Sequence, residues 1–256
     1  MLERIRAWRR KRALERNAIA EGLWQQVLGR FEFFDGLDEG ELARLRELTA
    51  LILHEKSIHA AQGYAISQEM RIVIAAQAAL VVLNLGIEWY RGWVEVIVYP
   101  DEFVPEHEYT DEHGIVHRLR EARTGESWEA GPLILSWADV ESPDTEAGYN
   151  VVVHEFAHKL DMLNGASDGL PPLHPGMTRE AWSAAFGAAY DDLCRRVDAG
   201  EETVLDPYAC EGPDEFFAVA SEAFFLIPRG LLAEYPGVYG QLRAFYRQDP
   251  AARLGG

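Results

Sequence analysis

The run His154-Glu155-Phe156-Ala157-His158 places two imidazoles four residues apart with a carboxylic acid between them. On a helix, side chains at i and i+4 project from one face a turn apart, so both rings can reach a single cation. Glu155 then leans beside the ion, where it can take a proton from an activated water and deliver it to a leaving amine. Zinc suits such donors, because it accepts imidazole nitrogen and carboxylate oxygen and lowers the pKa of bound water toward about 7. A pattern this short arises by chance in about one in forty chains of this size and composition, so its surroundings must carry part of the argument. Val151-Val152-Val153 precede it, Phe156 and Ala157 fill it, and Leu160 and Met162 follow. On so apolar a helix, two histidines and an acid are costly to bury unless they share a partner.

A catalytic zinc takes three protein ligands and keeps a fourth position open. His174 sits in a Pro-rich loop and lacks the spacing that would continue the motif. Two acids are better placed: Glu215 and Glu222, seven apart on the otherwise apolar stretch 212–225. They share a helix face, so spacing alone lets either bind the ion while the other hydrogen-bonds a ligand histidine. Asp161, three residues beyond His158, could orient an imidazole, cap a neighbouring group or make a surface salt bridge.

The elements that must hold these residues follow from periodicity and punctuation. Residues 2–29 read as one helix and Glu39 to Leu53 as another, joined by an aromatic connection through Phe31, Phe33 and Phe34. Ser67 caps a helix whose apolar run, Ile72 to Ile87, is too short and too interrupted for a membrane span and reads as a central core helix. From Trp93 the period becomes two, giving a strand. Polar, Gly-punctuated sequence to about residue 130 suggests strands joined by turns. Leu133–Trp137 is a further strand, and Pro132 at its start suits a sheet edge, where an extended peptide could add a strand. Ser142-Pro143-Asp144 opens the motif helix, which runs to about Leu163 before Asn164-Gly165. A loop over 166–178, a helix from Arg179 to Asp198, the glutamate helix from Gly212 and a short helix over Tyr239–Gln248 complete the chain. Helices, then strands, then helices indicate an α+β fold with a small mixed or antiparallel sheet. The division is an N-terminal helical extension over 1–60, packed on a catalytic domain over 61–256.

Composition bounds what such a site can serve. A net charge of −18 argues against a general nucleic-acid-binding surface. Residues 1–16 run the other way, with seven Arg or Lys against two Glu, but no apolar stretch follows as a secretory signal requires. Two cysteines outside any CxxC pair suit a reducing, cytoplasmic setting.

Several segments together resemble the Mlc titration factor A family of zinc peptidases. They are the run from Asn150 to Met162, Tyr208-Ala209, Asp214-Glu215-Phe216-Phe217-Ala218-Val219, Ser221-Glu222 and the ending Phe245-Tyr246-Arg247-Gln248-Asp249-Pro250. The metal region is more distantly similar to the catalytic domain of anthrax lethal factor, whose zinc glutamate also begins a Glu-Phe-Phe-Ala run. The resemblance implies a zincin-like core of the gluzincin type and one zinc ion per chain. It places the ligands on His154, His158 and Glu215 and leaves Glu222 to support a ligand histidine. It also implies a role for Tyr208, whose phenol would donate to the oxyanion of the tetrahedral intermediate. The thermolysin type carries an acid four residues after its ligand glutamate; here that position is Val219, so any orienting carboxylate must come from elsewhere, with Glu222 and Asp161 as candidates.

Three function classes follow. The first is hydrolysis of small peptides, aminopeptidase-like by resemblance. The second is regulation by binding a glucose-responsive transcriptional repressor of the Mlc type. The third, a purely structural zinc, fits poorly with three ligands and an acid beside the metal, since structural sites close all four positions with protein.

Overall fold

The computed structural model describes residues 10, 12–61, 63–100, 106–110, 116–120, 125–127 and 131–254. Most of the basic arm therefore lies outside the described residues. Where the arm is described, Arg10 Nε donates to Glu47 at 2.7 Å.

Helical structure through residue 16 gives way to a break before α1 (Glu21–Leu28), so the single helix expected over 2–29 is interrupted. The cause is local: Asn17 turns its amide back onto the Ala13 carbonyl at 3.0 Å, and Ala20 is extended. The aromatic connection then buries Phe31, Phe33 and Phe34 as a mutually packed trio. Helix α2 (Glu39–Glu55) opens with a reciprocal cap between Asp38 and Glu41 and leads into strand β1 (Ser57–Ala60). Helix α3 (Gln68–Val81) begins at Ser67, whose hydroxyl accepts from Met70 N–H. Every residue from Ile72 to Val81 is buried, so this is the central helix that its apolar run implies.

Strand β2 (Glu95–Tyr99) follows, then the antiparallel pair β3 (Glu106–Thr110) and β4 (Val116–Arg120), and then β5 (Gly125–Ser127) and β6 (Leu133–Ser136). The main sheet runs β1-β2-β6-β5. Its first three strands are parallel and β5 is antiparallel to β6. Two features differ from the sequence reading. A parallel β1–α3–β2 unit ties the N-terminal segment into the sheet, and β6 lies between two strands instead of at an edge. Pro132 precedes the first paired residue, Leu133, so its missing N–H interrupts no ladder and β5 can pair alongside.

Helix α4 (Trp137–Glu141) caps on Ser136, and the motif helix α5 (Val151–Asp161) starts only at Asn150. The helix expected from Ser142-Pro143-Asp144 is broken because Gly148 takes φ +78°, where a Cβ would also meet Ile227 at 2.7 Å. The second half is helical: α6 (Arg179–Asp198), α7 (Pro213–Leu226), α8 (Pro228–Glu234), α9 (Pro236–Tyr246) and α10 (Pro250–Arg253). Pro213 at the first turn of α7 costs no hydrogen bond there and presets the backbone for the helix.

One continuous apolar core takes side chains from both halves of the chain. Phe156 projects from α5 against Tyr90 and Trp93, at ring-centroid distances of 4.9 and 5.5 Å. From α7, Phe217 packs near Trp182, and Ser221 accepts from Tyr246 OH at 2.8 Å. Helices α5 and α7 are thus fixed by their buried faces, which leaves their polar side chains to meet each other. No helix among the described residues is long and apolar enough to cross a membrane.

Candidate metal centre

The four-residue spacing on α5 brings His154 Nε2 and His158 Nε2 to 3.2 Å of each other. From the first turn of α7, Glu215 Oε2 lies 3.1 Å from His154 Nε2 and 3.4 Å from His158 Nε2. Ligand atoms about 2.1 Å from one tetrahedral cation stand roughly 3.4 Å apart, close to these three separations. Glu215 Oε2 is buried and has no aligned hydrogen bond among the described residues. Three ligand atoms that face a common point at these separations fit a divalent ion. Among the described residues, His154, His158 and Glu215 form the one group of three or more such side chains that could hold one.

Electrostatics agree with that geometry. Burial opposes the charge on Glu215, but the two imidazoles outweigh it and hold its carboxyl well below the usual range. Burial likewise works against a charge on His154, yet Glu215 and Glu222 raise its pKa well above the ordinary imidazole value. Glu155, only 3% exposed, is pushed up to about 7 by burial, with the neighbouring imidazoles pulling the other way. Its Oε2 also has no hydrogen-bond partner among the described residues, leaving a carboxyl oxygen beside the cluster for a reacting group.

The two histidines are supported differently. His154 Nδ1 meets Glu222 Oε1 at 2.8 Å, and Glu222 Oε2 accepts the backbone N–H of Asn150. His158 Nδ1 lies 3.5 Å from Ser167 Oγ, which donates to Asp161 Oδ2 at 3.0 Å. Asp161 is fully buried and also accepts Gly169 N–H at 2.8 Å, so it is no surface salt bridge and reaches His158 only through Ser167. Gly169 has φ +75° and packs so closely that a Cβ would lie 2.3 Å from the Pro213 carbonyl oxygen. The loop behind His158 is thereby seated on the start of the helix that carries Glu215.

Tyr208 lies on the 3-10 turn Pro207–Cys210, whose first residues are fixed by Asp206 accepting Tyr208 N–H at 2.8 Å. Its ring is half exposed, with a centroid 6.1 Å from that of His154. His174 stands apart, its Nε2 2.8 Å from the Phe245 carbonyl and its ring against Trp89.

The sequence as a whole has relatives among known proteins. Residues 5–247 match the model of a family described as glucose-regulated metallo-peptidase M90. The chain belongs to the M90 family. Relatives named Mlc titration factor A include one from Serratia proteamaculans (strain 568), 42% identical over 234 residues, covering 90% of this chain and 88% of the relative. Another, from Yersinia pestis (strain Pestoides F), is 39% identical over 235 residues, covering 90% of this chain and 86% of the relative.

Several residues around this cluster escape a reading of the sequence. Asn150 had a usable signal, since an Asn immediately before an apolar helical run is a preferred N-cap. Gln77 and Ser167 had none, because their partners lie on other elements. Lys159, also on α5, is 2% exposed and donates to the Gly131 carbonyl at 3.2 Å, linking the motif helix to the approach to β6. Burial lowers its pKa to about 8.

Proposed function

We propose that this chain is a zincin-like peptidase of the gluzincin type, binding one zinc ion through His154, His158 and Glu215. The observation that carries this reading is the convergence of those three donors at 3.1–3.4 Å beside a buried carboxyl group with an unpartnered oxygen. When bound, zinc supplies an acidified water and a polarised scissile carbonyl. Glu155 takes the proton that the attacking water gives up and returns it to the departing amine. Its pKa near 7 supports both roles, since an acid/base works best when its pKa lies close to the working pH. Tyr208, on the exposed side of His154, donates its phenolic proton toward the oxygen that gains charge in the tetrahedral intermediate.

The substrate we assign is a small extended peptide, with aminopeptidase-like cleavage following from the resemblance to the Mlc titration factor A family. With β6 interior, the strand position open to such a peptide moves to β5, which ends the sheet beside the motif helix. In this proposal residues 1–60 form an extension packed on the catalytic domain of 61–256, with its last strand, β1, joining the sheet of that domain. Two free cysteines are consistent with a cytoplasmic setting.

A second reading rests on the name that the relatives carry: the chain binds an Mlc-like transcriptional repressor. Glu155→Gln separates the two. It is expected to lower kcat/KM on peptide substrates by at least about 10³-fold while zinc content and repressor binding persist. Unchanged hydrolysis would remove Glu155 from the mechanism. Loss of repressor binding along with activity would show that partner recognition depends on the intact catalytic site.

A further inference from the structure

Behind Glu222, buried polar groups continue away from the metal cluster in a single file. Asn150 is 1% exposed and each of its polar groups has a partner. Its Oδ1 accepts Val153 N–H at 3.0 Å, its carbonyl accepts His154 N–H at 3.0 Å and its backbone N–H goes to Glu222 Oε2. Its side-chain NH2 donates to Gln77 Oε1 at 2.7 Å, and Gln77 Nε2 donates to the Val140 carbonyl at 3.4 Å. Gln77 is fully buried in the middle of α3, where the residues on either side are apolar.

The donors and acceptors permit one orientation. Because Asn150 Oδ1 is committed to the helix cap, its amide must present N–H to Gln77, which turns the Gln77 nitrogen toward Val140. Glu222 receives an N–H on Oε2, so Oε1 is the oxygen left for His154. A carboxylate held in this way accepts a hydrogen bond from His154 Nδ1–H and leaves the lone pair of Nε2 directed at the shared point with His158 and Glu215.

We infer that Gln77 and Asn150 are positioning residues for the metal centre: they hold Glu222 in the one orientation that fixes the ring and tautomer of His154. The inference rests on the zinc reading above and deepens it. Glutamine is a poor filler for the centre of an apolar helix, because burying an amide costs free energy unless its hydrogen bonds are met. Here its oxygen is met by the residue that also starts the motif helix. A single residue, Asn150, therefore sets both where His154 sits along α5 and what its ring faces.

The test uses purified full-length chain and zinc alone, with affinity read by competition against a chromophoric chelator and folding read by thermal melting. Asn150→Ser keeps a good helix cap but removes the amide donor, and Gln77→Leu removes its acceptor. Each is expected to weaken zinc binding about tenfold while the metal-free melting transition stays cooperative. The double variant is expected to lose little more than either single one, since both break the same file. The visible spectrum of the cobalt-loaded variants should shift from that of wild type, which a loss of stability alone would not produce. Wild-type zinc affinity and cobalt spectrum in both single variants would overturn the inference, as would strictly additive losses in the double variant. Failure of wild type itself to bind zinc, with Glu215→Ala no different, would instead sink the metal reading on which the inference stands.

Discussion

The two imidazoles of the metal centre sit one turn apart, yet they are held by different kinds of structure. His154 is backed by Glu222, Asn150 and Gln77, all on helices or at a helix cap, with contacts of 2.8 Å or less along the side-chain path. His158 is backed by Ser167 at 3.5 Å, a loop residue that leans on Asp161 and, through Gly169, on the first turn of α7. The helix-borne side is fixed by packing that extends through the core. The loop-borne side is fixed by a close backbone approach at a single glycine. A site built in this way keeps one ligand rigid and leaves the other adjustable, because loops yield before buried helices do.

The sharpest way to break the contrast is at that glycine. Gly169→Ala must strain a left-handed backbone and push a methyl group into the Pro213 carbonyl, so a loss of about 3–5 kcal/mol is expected. Gly200 has φ +70° with open space around it, so Gly200→Ala should lose only about 1 kcal/mol. Urea unfolding midpoints would measure both, and equal losses would show that the Gly169–Pro213 approach does not seat the loop.

Between the two supports stands Glu155, with an unpartnered oxygen, while both oxygens of Glu222 are engaged. Its pKa in the folded chain, raised to about 7, means that the folded state binds a proton more tightly than the unfolded chain does. The stabilisation from that proton is full below about pH 4.5 and is lost as pH rises through 7. In chelator-treated protein, Glu155→Gln should therefore flatten the fall in stability across this window, by roughly 2–3 kcal/mol. Glu222→Gln should flatten it less, because the His154 contact offsets much of the burial that raises the Glu222 carboxyl. Melting temperatures of the three proteins from pH 4 to 8 would decide it, and parallel curves for wild type and Glu155→Gln would contradict it.

The smallest expected difference lies in the supports themselves. Glu222→Ala should weaken zinc binding about 10–100-fold and Ser167→Ala only about threefold, since its contact is longer and water can replace it. Chelator competition measures both, and a larger loss for Ser167→Ala would reverse the contrast.

What the sequence discloses follows the same division. The motif, Asp161 and the acids at 215 and 222 are legible because helical spacing alone puts residues on one face. Spacing left open which of Glu215 and Glu222 joins the cluster, and the structure puts Glu215 at 3.1 Å from His154 Nε2 and Glu222 behind the ring. The central helix is legible from its long apolar run. Gln77 is not, because it pairs with Asn150 across 73 residues and only the packing of α3 on α5 brings the two together. Strand β1 is four residues long with one buried side chain, too little alternation to register. The late start of the motif helix was hidden by two competing cap signals, Ser142 and Asn150, and the conformation of Gly148 decides between them.

Metal content is the most direct measurement. Elemental analysis of purified chain should find close to one zinc per wild-type molecule, next to none in Glu215→Ala, and most of it retained in Glu222→Ala. Wild type free of metal after zinc exposure, or Glu215→Ala holding as much as wild type, would contradict the centre described for His154, His158 and Glu215.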